Sequence, residues 1–355
     1  MPKSPYDGLD ERAYWRSAVA NCKPTRLQGL YDPRFLIGPG TRIMTAGSCF
    51  AQHVHRAMTE AGYDVIDVEP VPEHVDKAVA ARYFYGRFSA RTGNVYTARQ
   101  LLQLCQEAAG LHHPAHPVWS TDRGFIDALR PNVEPHGFVT PDAVLLSRAE
   151  HLELFSAALR QTDVLIFTLG LTETWADAET GTVYPTAPGV IGVPLDPAAA
   201  IAFKNLTHDD VTCDLRALLA HLRGINPAIR VLLTVSPVPL TATATGGHVL
   251  LASTASKAIL RAAVATIMAN DSSIDYFPSL EIITNPAARS KFFADNLRDP
   301  TPNGVATVMA LFLASMRGAG VPQSRPAVRP DSRTQAEDAA DAICEEALND
   351  AGGPG

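Results

Sequence analysis

Ser48 stands in TAGSCFAQH, residues 45–53, where a short apolar run, RIMTA at 42–46, gives way to the helical periodicity of CFAQHVHRAMTEAG. Gly47 lets the chain turn tightly after the strand, and Ser48 then falls at or near the start of a helix. Free N–H groups and the positive end of the helix dipole stabilise a developing anion there. A serine in this place is either a nucleophile or an N-cap, and position alone leaves both open. Cys49 is likewise either a thiolate nucleophile, since helix starts depress thiol pKa values, or a small buried residue.

Three more polar clusters fall at strand ends or helix starts. TLGLTETW, residues 168–175, follows a strongly apolar strand and carries Gly170, Thr172 and Glu173. TVSPVPLTATATGGH, residues 234–248, follows another and carries Ser236 and His248. FFADNLRDPTP, residues 292–302, precedes the last helix and carries Asp299. Each also reads as ordinary loop and capping chemistry. His53 is one and a third turns beyond Ser48, so it reaches the helix start only by leaning back toward the N-terminus. HHPAH, residues 112–116, resembles a metal tract, but it has no nearby carboxylate or cysteine and reads as a surface loop.

The elements that must position these residues follow from periodicity. After the first strand and helix, Gly62 ends the helix and YDVIDVEP reads as a second strand. Thr97 can cap a helix through ARQLLQLCQEAAG. Helix DAVLLSRAEHLELFSAALRQ leads into strand DVLIFTLG, and helix DVTCDLRALLAHLRGIN into strand IRVLLTVSPVP. ETGTVYPTAPGV reads as a hairpin or loop excursion. A helix from His248, the strand IDYFPS and the helix NGVATVMALFLASM complete the series. Strands separated by helices of this length predict an α/β fold, with a mostly parallel sheet, helices on both faces and ligands beyond the C-terminal strand ends.

With 355 residues, 46% hydrophobic and 19% charged, the chain can bury a sizeable core. Its net charge of -7 and lack of a basic run argue against nucleic-acid binding. Five scattered cysteines without a C-x-x-C pair argue against a disulfide framework or structural zinc. No secretory h-region and no uninterrupted membrane-length apolar run are present, so a cytoplasmic protein without a membrane partner is expected. Residues 1–40 read as an N-terminal extension packed on the core, 41–321 as the main domain, and 322–355 as a linker and acidic tail. Nothing in the composition fixes an oligomeric state.

GSCFA at 47–51 carries a resemblance to the GSCFA family, together with SARTGNVYTARQLLQL, FTLGLTETW, VYPTAPG, TVSPVPLTATATG, SKAILRA and YFPSLEII. It covers most of residues 5–320. The family is related to the SGNH/GDSL hydrolases, so the resemblance implies a flavodoxin-like three-layer α/β/α sandwich with loop insertions and a serine hydrolase-type site. It needs no cofactor and no metal. Ser48 matches the nucleophile. Gly93 or Asn94 sits near the second block, which gives an oxyanion-hole N–H, and GLTE at 170–173 matches the third, with Thr172 where an asparagine is expected. The last block departs from D-x-x-H: Asn296 stands at the aspartate position and Asp299 at the histidine position. Three groups could then replace the histidine: His248, the preferred one, with Glu173 or Glu281 orienting it; His53; or Asp299 itself. It implies a serine esterase or O-acyltransferase for a small polar or carbohydrate acyl ester. The alternative is a repurposed domain that binds a polar molecule or sugar.

Overall fold

A computed structural model describes residues 4–316 apart from residues 28, 192 and 194–199. Four strands form a parallel sheet: β1 (Ile43–Gly47), β4 (Val164–Leu169), β8 (Arg230–Val235) and β9 (Ile274–Phe277), in the order β1-β4-β8-β9. Side chains alternate across it with the two-residue period of a strand. Met44, Ala46, Leu165, Phe167 and Leu169 face one core, whereas Ile43, Val164, Ile166 and Leu232 face the other. All six residues of β4 are buried, as a parallel strand covered on both sides requires.

On the first face lie α3 (Ala98–Ala108), α4 (Pro141–Gln161), α5 (His208–Ile225) and α6 (Val249–Met268). On the second lie α1 (Cys49–Glu60), α7 (Ser279–Thr284) and α8 (Pro302–Ser315). The result is the expected three-layer sandwich. Helix starts follow the capping rule: Thr97, Thr140, Thr207 and Thr301 each accept a backbone N–H from the first turn. The 20 residues of α6 are long and apolar enough to cross a membrane by composition. Lys257 and Arg261 interrupt that run, and Leu260, Ala263, Val264 and Ile267 pack in the core.

The expected second strand, YDVIDVEP, is reduced to one parallel bridge between Ile43 and Val65. Val68 N–H bonds the Ser89 carbonyl instead of extending the ladder, and Pro70 and Pro72 remove two donors just beyond. The VYPTAPG region contributes β6 (Val183–Tyr184), which pairs with β5 (Glu173–Asp177); β5 also pairs with β7 (Ile201–Asn205) in a separate antiparallel sheet. A hairpin that periodicity did not reveal, β2 (Val118–Thr121) and β3 (Gly124–Asp127), packs against α4. A short helix α2 (Lys77–Arg82) follows the 62–76 stretch.

Buried ion pairs tie these insertions to the core. Arg148 bonds both oxygens of Asp127 at 3.0 Å and also holds Glu107. Arg130 Nε bonds Asp127 at 2.8 Å. His151 Nδ1 and the Arg91 N–H both meet Glu69 Oε2 at 2.7 Å, and the Arg91 side chain bonds the Val133 carbonyl and Glu134. This network anchors the stretch that runs on from Arg91 to Tyr96. Residues 31–37 of the expected extension lie against the sheet: Tyr31 Oη and Arg34 N–H both bond Asp275, and Ile37 is fully buried. The expected linker and tail at 322–355 lie outside the described residues.

Candidate active site at the end of the first strand

Gly47 closes β1 with φ +142, and a Cβ there would lie 2.6 Å from the Thr168 carbonyl oxygen and 2.7 Å from its nitrogen. Only glycine fits this close approach of β1 to β4. Ser48 follows with its N–H on the Thr168 carbonyl at 3.1 Å and occupies the N-cap position of α1. Unlike the threonines that start α3, α4, α5 and α8, it makes no capping hydrogen bond. Its residue is 2% exposed, and its Oγ has no hydrogen-bond partner among the described residues. A buried hydroxyl left unsatisfied costs about 1–3 kcal/mol. A capping hydrogen bond therefore does not account for Ser48 at this position.

Ser48 lines a small cavity beyond the C-terminal strand ends, where parallel α/β sheets bind ligands. Ser48, Cys49, Tyr96, Gly170, Ser236 and Lys257 supply its reactive and polar lining, and Leu171, Val238 and Leu240 its apolar side. They come from the start of α1, the stretch before α3, the loops after β4 and β8, and α6. Val95 N–H bonds the Gly47 carbonyl at 2.9 Å, and Gly170 N–H bonds the Tyr96 carbonyl at 2.8 Å. A Cβ on Gly170 would meet the Tyr96 ring at 2.9 Å and the Ser48 Cβ at 3.0 Å. Ser236 N–H bonds the Leu169 carbonyl at 2.8 Å, and its Oγ accepts from Val238 N–H at 3.3 Å. A larger cleft, ≈ 540 Å³, opens between Arg82, Arg123, Ile126 and Glu134 and shares no residue with the Ser48 cavity.

The other expected residues divide between this cavity and its surroundings. Gly170 and Ser236 line it. Asn94 is buried beside it, its Oδ1 accepting from Gln52 Nε2 at 3.1 Å, one helical turn beyond Ser48. Gly93 takes φ +66 and lies against Arg130 and Val133. The Thr172 hydroxyl donates to Asn205 Oδ1 at 2.7 Å, and its N–H to Ser256 Oγ at 2.9 Å, so both of its donors are engaged. The carboxylate of Glu173 accepts from the Thr243 hydroxyl at 2.5 Å and from Ala244 N–H at 3.1 Å, pinning the loop before α6. Glu281 binds Arg261 at 2.8 Å and the Tyr276 hydroxyl at 2.7 Å.

None of the three expected bases lines the cavity. His248 is exposed at the start of α6, where its Nδ1 accepts from Leu250 N–H at 3.1 Å. It precedes Lys257 by nine residues, about 13 Å along the helix. His53 is buried in α1 edge-on to Phe50, and burial, reinforced by Arg56 and Arg87, lowers its pKa to about 4. Asp299 is exposed in a local turn, accepting from the Asn296 amide at 2.7 Å and from Arg298. Of the HHPAH tract, His112 lies near Arg148 and Glu107, and His116 lies 4.0 Å from Asp177. Among the described residues, no group of three or more His, Cys, Asp or Glu could hold a metal ion.

Lys257 is the cavity residue that periodicity missed. In the sequence it stands in SKAILRA, one of the segments that carry the family resemblance. Its Nζ donates to the Gly170 carbonyl at 2.5 Å.

The model of the GSCFA family matches residues 42–312. No curated protein matches the chain. Among solved structures, an acetyl esterase mutant with an acetate ion is 11% identical, with a TM-score of 0.34 over 78% of this chain and 99% of its own. A carbohydrate esterase family 3 protein from Talaromyces cellulolyticus is 9% identical, at 0.30 over 78% and 97%. An acetyl xylan esterase from Butyrivibrio proteoclasticus is 12% identical, at 0.31 over 79% and 64%. Scores this low establish no residue-by-residue correspondence.

Proposed function

The chain belongs to the GSCFA family, and we propose that it is a serine esterase or O-acyltransferase that works through Ser48 on a small polar or carbohydrate acyl ester. One observation carries this reading: the buried Ser48 Oγ makes no hydrogen bond, and Ser48 lines a cavity at the sheet's C-terminal edge. A structural serine in the same place would cap α1.

In this reading Ser48 Oγ attacks the ester carbonyl carbon. The carbonyl electron pair moves to oxygen beside the start of α1, where first-turn N–H groups and the helix dipole favour negative charge. Collapse expels the alcohol and leaves an acyl-Ser48 intermediate. Water then releases the acid, or an acceptor hydroxyl takes the acyl group. The small cavity and its mixed lining favour a short acyl group such as acetyl. The alternative, a site that binds a polar molecule or sugar without turning it over, has in its favour that no histidine lines the cavity.

Turnover of p-nitrophenyl acetate and acetylated sugars by the full chain, compared with Ser48→Ala, tests the proposal. Turnover that disappears in a folded Ser48→Ala protein supports the serine reading. Equal turnover in both proteins overturns it.

A further inference from the structure

A serine hydroxyl needs a group to take its proton as it attacks, and neither the D-x-x-H slot nor His248 lies in the lining of the Ser48 cavity. Lys257 does. Three neighbouring side chains of α6 fasten this helix to the strand-end loops: Ser253 Oγ accepts from Leu240 N–H, Ser256 Oγ accepts from Thr172 N–H, and Lys257 Nζ donates to the Gly170 carbonyl. Gly170 is the residue packed against Ser48. The amine is thus held by backbone that lies against the serine, a preorganised position for a proton acceptor.

We infer that Lys257 is the base that accepts the Ser48 proton, an inference that rests on the serine reading above. As the Oγ–carbon bond forms, the hydroxyl proton passes to the neutral Nζ and the carbonyl pair moves to oxygen. When the carbon–oxygen bond to the leaving alcohol breaks, the ammonium returns that proton to the alcohol. The amine then takes a proton from water or an acceptor hydroxyl, which attacks the acyl carbon, and collapse gives the proton back to Ser48. Lysine suits this work because its basicity falls readily in partly buried surroundings, whereas arginine holds its proton throughout the usable pH range. The titratable groups sharing the cavity are Cys49 from α1 and Tyr96 from the loop before α3. On α6 itself the next charge is Arg261, which is tied to Glu281 and stacked on Tyr276.

The rate of fluorophosphonate adduct formation on the full chain, followed by intact mass as a function of pH, tests the role. Thermal unfolding verifies that each variant is folded. Lys257→Ala and Lys257→Arg are each expected to slow labelling by about 100-fold or more. Added ethylamine is expected to restore the alanine variant and not the arginine variant. The wild-type profile is expected to rise with the deprotonation of one group and to lose that rise in both variants. Labelling of Lys257→Arg at the wild-type rate shows that a fixed cation suffices and overturns the inference while leaving the serine reading intact. Labelling of both variants at the wild-type rate does the same. A wild-type protein that forms no adduct at Ser48 overturns both.

Discussion

Ser48 and Gly170 lie against one another at the ends of the neighbouring strands β1 and β4, so close that a Cβ on Gly170 would come within 3.0 Å of the Ser48 Cβ. The same Gly170 takes the Lys257 amine on its carbonyl and gives its N–H to Tyr96. One glycine therefore sets the spacing of Ser48, the Lys257 amine and the adjoining wall of the cavity.

Gly170→Ala and Gly47→Ala separate this spacing from folding. Gly47 has φ +142, and its new Cβ would strike Thr168 backbone, which cannot yield. Gly47→Ala should lower stability by more than about 3 kcal/mol. The Cβ of Gly170→Ala meets the side chains of Tyr96 and Ser48, so a smaller loss of stability should accompany a loss of Ser48 labelling. Chemical denaturation and adduct formation on the two variants check both statements.

Ser48→Ala should cost nothing in stability. It removes a buried hydroxyl without a partner and no cap bond, so the unfolding free energy should stay level or rise by up to about 1 kcal/mol. A fall of about 2 kcal/mol in denaturant titration would show that the hydroxyl has a structural partner after all.

Stability should fall in two stages as pH drops. Burial lowers His53, His55 and His151 from the ordinary 6.5 to about 4. Their neutral forms therefore favour the folded state above pH 6.5, and that advantage is lost between pH 6.5 and about 4, where the unfolded chain binds the protons first. Burial alone would raise Glu69 and Asp127, but His151 and Arg130 outweigh it at Glu69, and Arg148 and Arg130 at Asp127, holding both near 2. Their contribution is full above the unfolded pKa values of 4.5 and 3.8 and disappears as pH falls through about 2. Melting temperatures across pH 2–8 check the two stages. Asp127→Asn should weaken the lower one and destabilise at neutral pH, because Arg148 and Arg130 lose their shared carboxylate.

His248→Ala should leave Ser48 labelling unchanged, since the imidazole is exposed and binds its own helix start. Loss of that cap should cost about 1 kcal/mol. Glu173→Ala should release the Thr243–Ala244 turn, slow labelling through a less ordered loop, and leave the pH dependence of the rate in place. The pH–rate profiles of the two variants distinguish a loop effect from a proton-transfer effect.

The sandwich was legible in the sequence because its strands and helices repeat at clean periods: β4 and β8 are unbroken apolar runs, and Thr97 announces α3. Local pattern failed where partners decide. YDVIDVEP has the composition of a strand, yet its ladder stops after Val65 because Val68 pairs with Ser89 and prolines follow. The hairpin β2–β3 is held by Asp127 beneath Arg130 and Arg148, a contact no window along the chain contains. Ser48 was visible as the residue at a strand-to-helix turn, but its missing cap bond was not. Nothing along the chain marks Lys257, and only the packing of α6 on the 170–173 loop brings it to the cavity. His248 stands in a loop that leaves the correct sheet edge, and the loop carries it outward to the helix start.

The most direct measurement is intact-mass analysis of the full chain after reaction with a fluorophosphonate, followed by peptide mapping of the adduct. A single adduct on Ser48, absent from a folded Ser48→Ala protein, is the predicted result. An adduct that persists in Ser48→Ala, or none on the folded wild-type protein, would contradict an activated serine at this site.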